Sequence, residues 1–169
     1  MNKKILFVLP KFEFGGTVFS TFNMIEMLQQ HGGFDIYVYP IIADGPVRQV
    51  YKGINVLNSD FLIESSFANL SEYNGVRKTS FIIGKIERVA RKLQKQYHFD
   101  IVASCQEGDS TEFVSYFKDC KRIAWFRSEM SSYLKKHISE RRAKGVAVFF
   151  GRMDKIVCVF QTKRDDFSP

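Results

Sequence analysis

The feature that most constrains this chain is a series of short, continuous apolar runs, separated by segments with a helical pattern. The first run is residues 5–9, and comparable runs lie within residues 100–105, 121–126 and 154–160. A strand that is apolar along its whole length needs cover on both faces, which a parallel sheet between two layers of helices provides. The chain is therefore expected to build such a sheet.

Segments with apolar side chains at spacings of three and four residues lie between these runs. They predict a first helix over residues 18–28, stopped by Gly32-Gly33, and a second over residues 82–97. Residues 36–42 and 54–57 add two strands between the helices. This alternation predicts an α/β, Rossmann-like three-layer domain, with a mostly parallel sheet of about six or seven strands and helices on both faces.

Composition limits the classes of protein that remain. A chain of 169 residues suits one domain, and 45% hydrophobic with 25% charged residues exclude a disordered or collagen-like chain. The net charge of +7 suits an anionic partner such as a nucleotide, a phosphate or an acidic lipid surface. The basic segment 135–144 and the apolar residues 146–150 after it suggest peripheral membrane contact, although a solvated helix face is the simpler interpretation. No nucleic acid is expected, because no recognition motif accompanies the charge.

Cysteine usage and the absence of long apolar runs predict a cytoplasmic protein. Cys105, Cys120 and Cys158 are too few and too scattered for a disulfide framework or a metal site, and Cys105 and Cys158 are expected to be buried free thiols. No run approaches the roughly 18 apolar residues of a membrane span. The opening run ILFVLP is shorter than the usual signal-peptide core and no small-residue cleavage site follows it.

Four polar or glycine-rich segments directly follow predicted strands. They are residues 13–17, 106–109, 127–129 and 161–162. Ligands of open parallel sheets bind outside the carboxyl ends of the strands. Each segment alone is explained by a solvated loop, but the four together predict a binding site at that edge.

Gly15, Gly16 and Thr17 open the first helix directly after the first strand. Glycine allows a ligand to approach the backbone, and a helix N-terminus favours phosphate oxygens. The alternative is a tight turn that needs a positive φ. The segment GGTVFS lacks the spacing of the dinucleotide fingerprint, and the chain contains no P-loop.

Charged residues follow the fourth and fifth strands. Arg127 could grip a phosphate or carboxylate, and its alternative is a surface ion pair with Glu129. Glu107 and Asp109 could serve as acid, base or acceptors of sugar hydroxyls, although a capping box with Glu112 is the better interpretation of Asp109.

Three segments resemble, in order and spacing, the amino-terminal domain of group 1 (family 4) retaining glycosyltransferases. They are KILFVLPKFEFGGTVFSTFNMIEMLQQHGG, IAWFRS, and DKIVCVFQTKRDDF. The resemblance covers essentially the whole chain. It implies that residues 1–169 form the acceptor-side domain of a GT-B enzyme, and that the carboxyl-terminal, donor-binding domain is absent from a chain that would be inactive by itself.

The resemblance also implies the reaction and its site. The full enzyme, a hexosyltransferase, would transfer a sugar from a nucleotide-sugar to a glycan or glycolipid with retention of configuration, in cell-surface polysaccharide synthesis at the inner face of the membrane. It would need no cofactor and no metal. The glycine loop, Gly15, Gly16 and Thr17, would lie beside the donor diphosphate. The acceptor side would include Glu107, Asp109, Ser128, Glu129 and Gln161.

Two positions depart from that family. Many members carry a histidine where this chain has Arg127, which makes Arg127 the candidate catalytic residue without carrying over the role of the histidine. Phe160-Gln161 stand where a serine is expected.

Two other classes of function are open at this point. The first is a stand-alone nucleotide- or phosphate-binding Rossmann-like module. The second is a basic interaction domain for a membrane surface.

Overall fold

The described residues of the protein form one all-parallel sheet of six strands. The computed structural model describes residues 2–43, 45, 51, 53–60, 63, 80–127 and 148–158. The strand order is β3-β2-β1-β4-β5-β6, which confirms the predicted α/β, Rossmann-like class. The strands are β1 (Lys3–Lys11), β2 (Phe34–Ile42), β3 (Asn55–Val56), β4 (Ile101–Ser104), β5 (Lys121–Phe126) and β6 (Lys155–Cys158).

Helices cover both faces of this sheet, as predicted. They are α1 (Gly16–His31), α2 (Ser80–Tyr97) and α3 (Asp109–Val114). Side chains alternate along β1, so Leu6 and Val8 pack towards α2 and α3, while Phe7 and Leu9 pack towards α1. The result is a three-layer arrangement with one apolar core on each side of the sheet.

The strand order reverses between β1 and β4. β2 and β3 lie on one side of β1, and the remaining strands lie on the other. Such a reversal leaves a crevice beyond the carboxyl ends of the two central strands. The segments that follow β1 and β4, residues 12–15 and 105–108, therefore border the same crevice.

The first strand is longer than its sequence predicts, because Pro10 does not end it. β1 continues to Lys11, which pairs with Ile42 of β2. β4 pairs only as far as Val8, so Pro10 lies beyond the end of that neighbour. The missing N–H of Pro10 therefore removes no hydrogen bond to β4.

Two residues of the apolar run 146–150 pack on the core instead of facing a membrane. Phe150 is buried against Phe126, with 5.4 Å between the ring centroids, and Phe149 lies edge-on to Tyr116. The basic segment 135–144 lies outside the described residues. Within the residues that the structure describes, no helix has the length and apolar character to span a bilayer.

Candidate functional site

The ends of β1, β4 and β5 bring several predicted site residues to one edge of the sheet. α1 begins at Gly16, Glu107 lies three residues beyond β4, and Arg127 directly follows β5. Contacts of Arg127 join all three segments, as described below. Ser128, Glu129 and Gln161, which the sequence also assigned to this site, lie outside the described residues.

Gly15 and Gly16 stand in open space at the start of α1. A Cβ added to either would have no atom within 4 Å, apart from those of its chain neighbours and of the backbone of its own helix. Gly15 has a φ of 168°, which is extended backbone, and Gly16 does not occupy the left-handed region either. A tight turn with a positive φ, the alternative interpretation of this pair, is therefore wrong.

The N-terminus of α1 has no side-chain cap. The N-cap residue is Gly15, which has no side chain to accept a hydrogen bond from the amides of the first turn, and that turn contains no acidic residue. The first N–H groups of a helix have no partner within the helix, and together they carry a partial positive charge. Because Gly15 and Gly16 are exposed, an anion can reach these amides without moving a side chain.

The guanidinium of Arg127 ties the first turn of α1 to the end of β4. Its Nε donates a hydrogen bond to the carbonyl oxygen of Cys105 at 2.8 Å, and its Nη1 donates one to Ser20 Oγ at 2.5 Å. The guanidinium carbon lies 4.9 Å from the centre of the Trp125 ring. Ser20 is one helical turn beyond Gly16. Arg127 therefore connects the beginning of α1 to the end of the sheet.

Glu107 is a carboxylate buried in the crevice. Only 6% of the residue is exposed, and its Oε2 accepts a hydrogen bond from the backbone N–H of Arg127 at 2.9 Å. A buried carboxylate needs such donors to offset its desolvation. This contact fixes Glu107 beside the end of β5, where it can accept hydrogen bonds from hydroxyl groups or take a proton.

Asp109 does not form the predicted capping box with Glu112. Gly108, with a φ of 95°, precedes the helix, and Asp109 is the first residue of α3. The side chains of Ser110 and Thr111 donate instead to the carbonyl oxygen of Gln106, at 2.6 and 3.0 Å. The loop after β4 is thus held by hydroxyl groups, and Asp109 lies half-buried at the crevice border.

A buried polar layer lies beneath the first half of α1. The Tyr51 hydroxyl donates to the carbonyl oxygen of Val18 at 2.8 Å. Burial raises the pKa of Cys105 to about 12, although a hydrogen bond with Thr21 and the charge of Arg127 act against that shift. Burial also raises the pKa of Tyr51. Both groups therefore stay neutral at physiological pH.

The three cysteines are free, as predicted, but only Cys105 is buried; Cys158 is half-buried, contrary to expectation. No group of acidic, histidine or cysteine side chains within the described ranges has the arrangement of a metal site.

Sequence reasoning missed several residues that build this site. Trp125 and Arg127 are two residues apart next to a strand, a spacing that places side chains on one face and could have paired them. No local spacing or motif in the sequence indicates a role for Ser20 or Tyr51. Their roles depend on contacts between residues that are far apart in the chain, at a separation of 107 residues for Ser20 and Arg127.

Known proteins resemble this chain in fold rather than in sequence. No family profile and no curated protein matches the sequence. Among solved structures, MurG of Acinetobacter baumannii matches 95% of this chain with 16% identity and a TM-score of 0.56. A UDP-N-acetylglucosamine 2-epimerase matches 98% with 12% identity and a TM-score of 0.56.

The chain spans less than half of each of these structures, 42% of MurG and 44% of the epimerase. The fold is therefore that of a GT-B domain. Membership of group 1 (family 4) in particular stays a prediction.

Proposed function

We propose that this chain is the acceptor-side domain of a retaining glycosyltransferase that moves a sugar from a nucleotide-sugar to a glycan or glycolipid. The observation that carries the proposal is the open glycine pair at the uncapped N-terminus of α1. Neither a positive φ nor a close neighbour accounts for Gly15 or Gly16. A diphosphate that lies against the backbone would account for both, because it needs free amides and the absence of a Cβ.

The charged residues of the crevice have distinct roles in this proposal. Arginine stays protonated and has no acceptor, so Arg127 cannot replace a histidine in proton transfer. Its role is to stabilise the negative charge of the diphosphate and to position α1. Glu107 and Asp109 bind hydroxyl groups of the acceptor sugar, and Ser128, Glu129 and Gln161 extend that acceptor side.

The wider setting belongs to the same proposal. The donor nucleotide is held mainly by a carboxyl-terminal domain, so the chain alone is inactive. The reaction needs no metal and no cofactor, and it takes place in the cytoplasm, in the synthesis of cell-surface polysaccharide.

The phosphate loop is tested by nuclear magnetic resonance titration of the chain with pyrophosphate and UDP. We expect the backbone amides of Gly16 and Thr17 to shift on titration. Gly16→Val should abolish the shift, because its side chain occupies the space of the anion. Gly84→Val is the matched control, since Gly84 is also a helical, exposed glycine with no atom within 4 Å of an added Cβ. Unchanged amides in the parent chain, or equal effects of both variants, would exclude the loop.

The reaction is tested with the product of the complete coding sequence and a panel of nucleotide-sugars. Transfer to an added glycan, with retention of configuration, is the expected result. A protein that neither transfers nor hydrolyses any nucleotide-sugar would contradict the proposal.

The fold shared with a UDP-N-acetylglucosamine 2-epimerase supports a second candidate, a nucleotide-sugar enzyme that needs no acceptor. Conversion of the donor sugar in the absence of any acceptor, with the nucleotide still attached, would favour that candidate.

A further inference from the structure

Helix α2 presents a row of positive charges on the side away from the core. Ile86, Val89 and Ala90 are buried on its inner side. On the outer side, charged residues recur at spacings of three and four, which places them along one face of a helix. We call this row the basic stripe: Lys85, Arg88, Arg91, Lys92 and Lys95.

The stripe contains no carboxylate to neutralise it. Glu87 is the one acidic residue of α2, and it lies beside the stripe rather than within it. Arg88, Arg91, Lys92 and Lys95 are exposed. Within the part of the chain that the structure describes, the ion pairs found are those of Lys11 with Glu13 and Arg122 with Asp154, so none neutralises the stripe.

The helix dipole does not account for the whole stripe. Cations favour the last turn of a helix, and Lys95 lies there. Arg88 lies more than two turns before the end, where the effect of the dipole has faded. The stripe therefore has more positive charge than α2 itself needs.

An exposed aromatic side chain continues the stripe at its N-terminal end. Phe81 is 71% exposed, one turn before Lys85, and the Nζ of Lys85 lies 4.3 Å from the centre of its ring. From Phe81 to Lys95 the row extends over roughly 21 Å of straight helix. An apolar ring beside cations on one flat face is the pattern of helices that lie on a lipid surface.

We infer that the outer face of α2 binds the surface of a bilayer that contains anionic lipid. The stripe would meet the negative headgroups, and the Phe81 ring would enter the boundary between headgroups and acyl chains. A nucleic acid fits less well, because its recognition combines phosphate contacts with hydrogen-bonding side chains that reach the bases. Gln96 is the one exposed neutral hydrogen-bonding residue beside the stripe. The inference does not rest on the proposed enzymatic function.

The test is co-sedimentation of the chain with phosphatidylcholine vesicles, with or without phosphatidylglycerol. We expect binding only with phosphatidylglycerol, and weaker binding at higher salt. The triple variant Arg88→Gln, Lys92→Gln and Lys95→Gln should bind roughly a hundredfold more weakly, at about fivefold for each charge. Circular dichroism and thermal unfolding should match the parent chain, because the three side chains are exposed.

The matched control removes three exposed lysines at the amino ends of strands, with Lys3→Gln, Lys121→Gln and Lys155→Gln. It has the same net charge as the stripe variant. We expect its binding to fall by no more than about threefold, because charges away from the contact are screened. Phe81→Ser should weaken binding by roughly tenfold without changing the salt dependence.

Three results would overturn the inference. One is the absence of binding to anionic vesicles. Another is an equal loss of binding in the stripe variant and the control, which would mean that binding depends on the net charge of the chain and not on the position of the stripe. The third is tighter binding to an oligonucleotide duplex than to vesicles at the same salt, which would assign the stripe to nucleic acid.

Discussion

Helix α1 has a pair of glycines at each end, and the two pairs differ in backbone conformation. Gly32 and Gly33 have φ values of 75° and 80°, in the left-handed region that other residues rarely occupy. The N–H of Gly32 donates to the carbonyl oxygen of Leu28 at 3.1 Å, so the turn ends the helix. Gly15 and Gly16 have neither a left-handed φ nor a close neighbour.

The turn at the end of α1 requires glycine because of its left-handed φ, whereas the backbone at the start of α1 has no such requirement. The pair at 32 and 33 serves the fold, since the carbonyl oxygen of Gly33 also accepts a hydrogen bond from the N–H of Lys3 at 3.0 Å. Gly15 accepts a hydrogen bond from the N–H of Phe19 at 3.3 Å through its backbone carbonyl, which any residue could do, so neither Gly15 nor Gly16 is required by its backbone conformation. The proposed phosphate loop would give this pair its role. The start of α1 is held instead by Arg127, through Ser20.

Arg127→Ala should have the largest effect, because it removes the side chain that holds the start of α1. We expect a loss of about 3 kcal/mol in the free energy of unfolding, as the carbonyl oxygen of Cys105 and the Trp125 ring lose their partner. Denaturant unfolding measures it. Arg122→Ala is the control. Arg122 lies on β5, the strand that Arg127 follows, but its pair with Asp154 at 3.3 Å is partly exposed and should contribute less than about 1 kcal/mol. Equal losses would mean that Arg127 does not hold α1.

Gly33→Val should destabilise the protein by about 2 kcal/mol, because it forces a β-branched residue into the left-handed region. For a chain of this size we expect a melting temperature lower by roughly 4–8 °C. Gly15→Val, made at the other end of the same helix, should cost no more than about 1 kcal/mol, which is the loss of a favourable N-cap residue without backbone strain. If the two valine variants melted together, the distinction between the glycine pairs would be lost.

The third and smallest effect is a loss of stability at alkaline pH, which the thiol of Cys105 beneath the start of α1 should cause. Burial raises the pKa of Cys105 from its ordinary value of 9.0 to about 12. The unfolded chain therefore ionises first as the pH rises. The stabilisation is complete below about pH 9 and is lost between there and pH 12, with a loss of about 1 kcal/mol at pH 10.

Unfolding measured from pH 7 to pH 10 tests this effect. Cys105→Ala should make the decline above pH 9 less steep, while a smaller part remains because burial also raises the pKa of Cys120, to about 11. Val102→Ala, a substitution of a buried residue in the preceding strand β4, should lower stability at every pH and leave the decline unchanged. The same decline in both variants would show that the Cys105 thiol does not cause it.

The elements of the sheet could be predicted closely because their signals are local. The run at 121–126 became β5 with the same bounds, and the pattern at 82–97 became α2 with two more residues at its start. Pro10 misled the prediction for β1, because its effect depends on where the neighbouring β4 ends. The predicted capping box of Asp109 and Glu112 was wrong as well, because Gly108 rather than Asp109 is the residue that precedes α3.

Local sequence patterns were enough to predict a parallel α/β domain in which the segments after β1, β4 and β5 meet beyond the strand ends, although residues 128, 129, 161 and 162 of that predicted site lie outside the described residues. Apolar runs, helical spacing and glycines act within a few residues, so their consequences can be predicted without a structure. The hydrogen bonds of Arg127 with Ser20 and Cys105 could not be predicted in this way, because these residues lie 107 and 22 positions away in the chain. Such contacts depend on strand order and on which face each helix covers, and a long-range hydrogen bond forms only after that order has brought its two partners together.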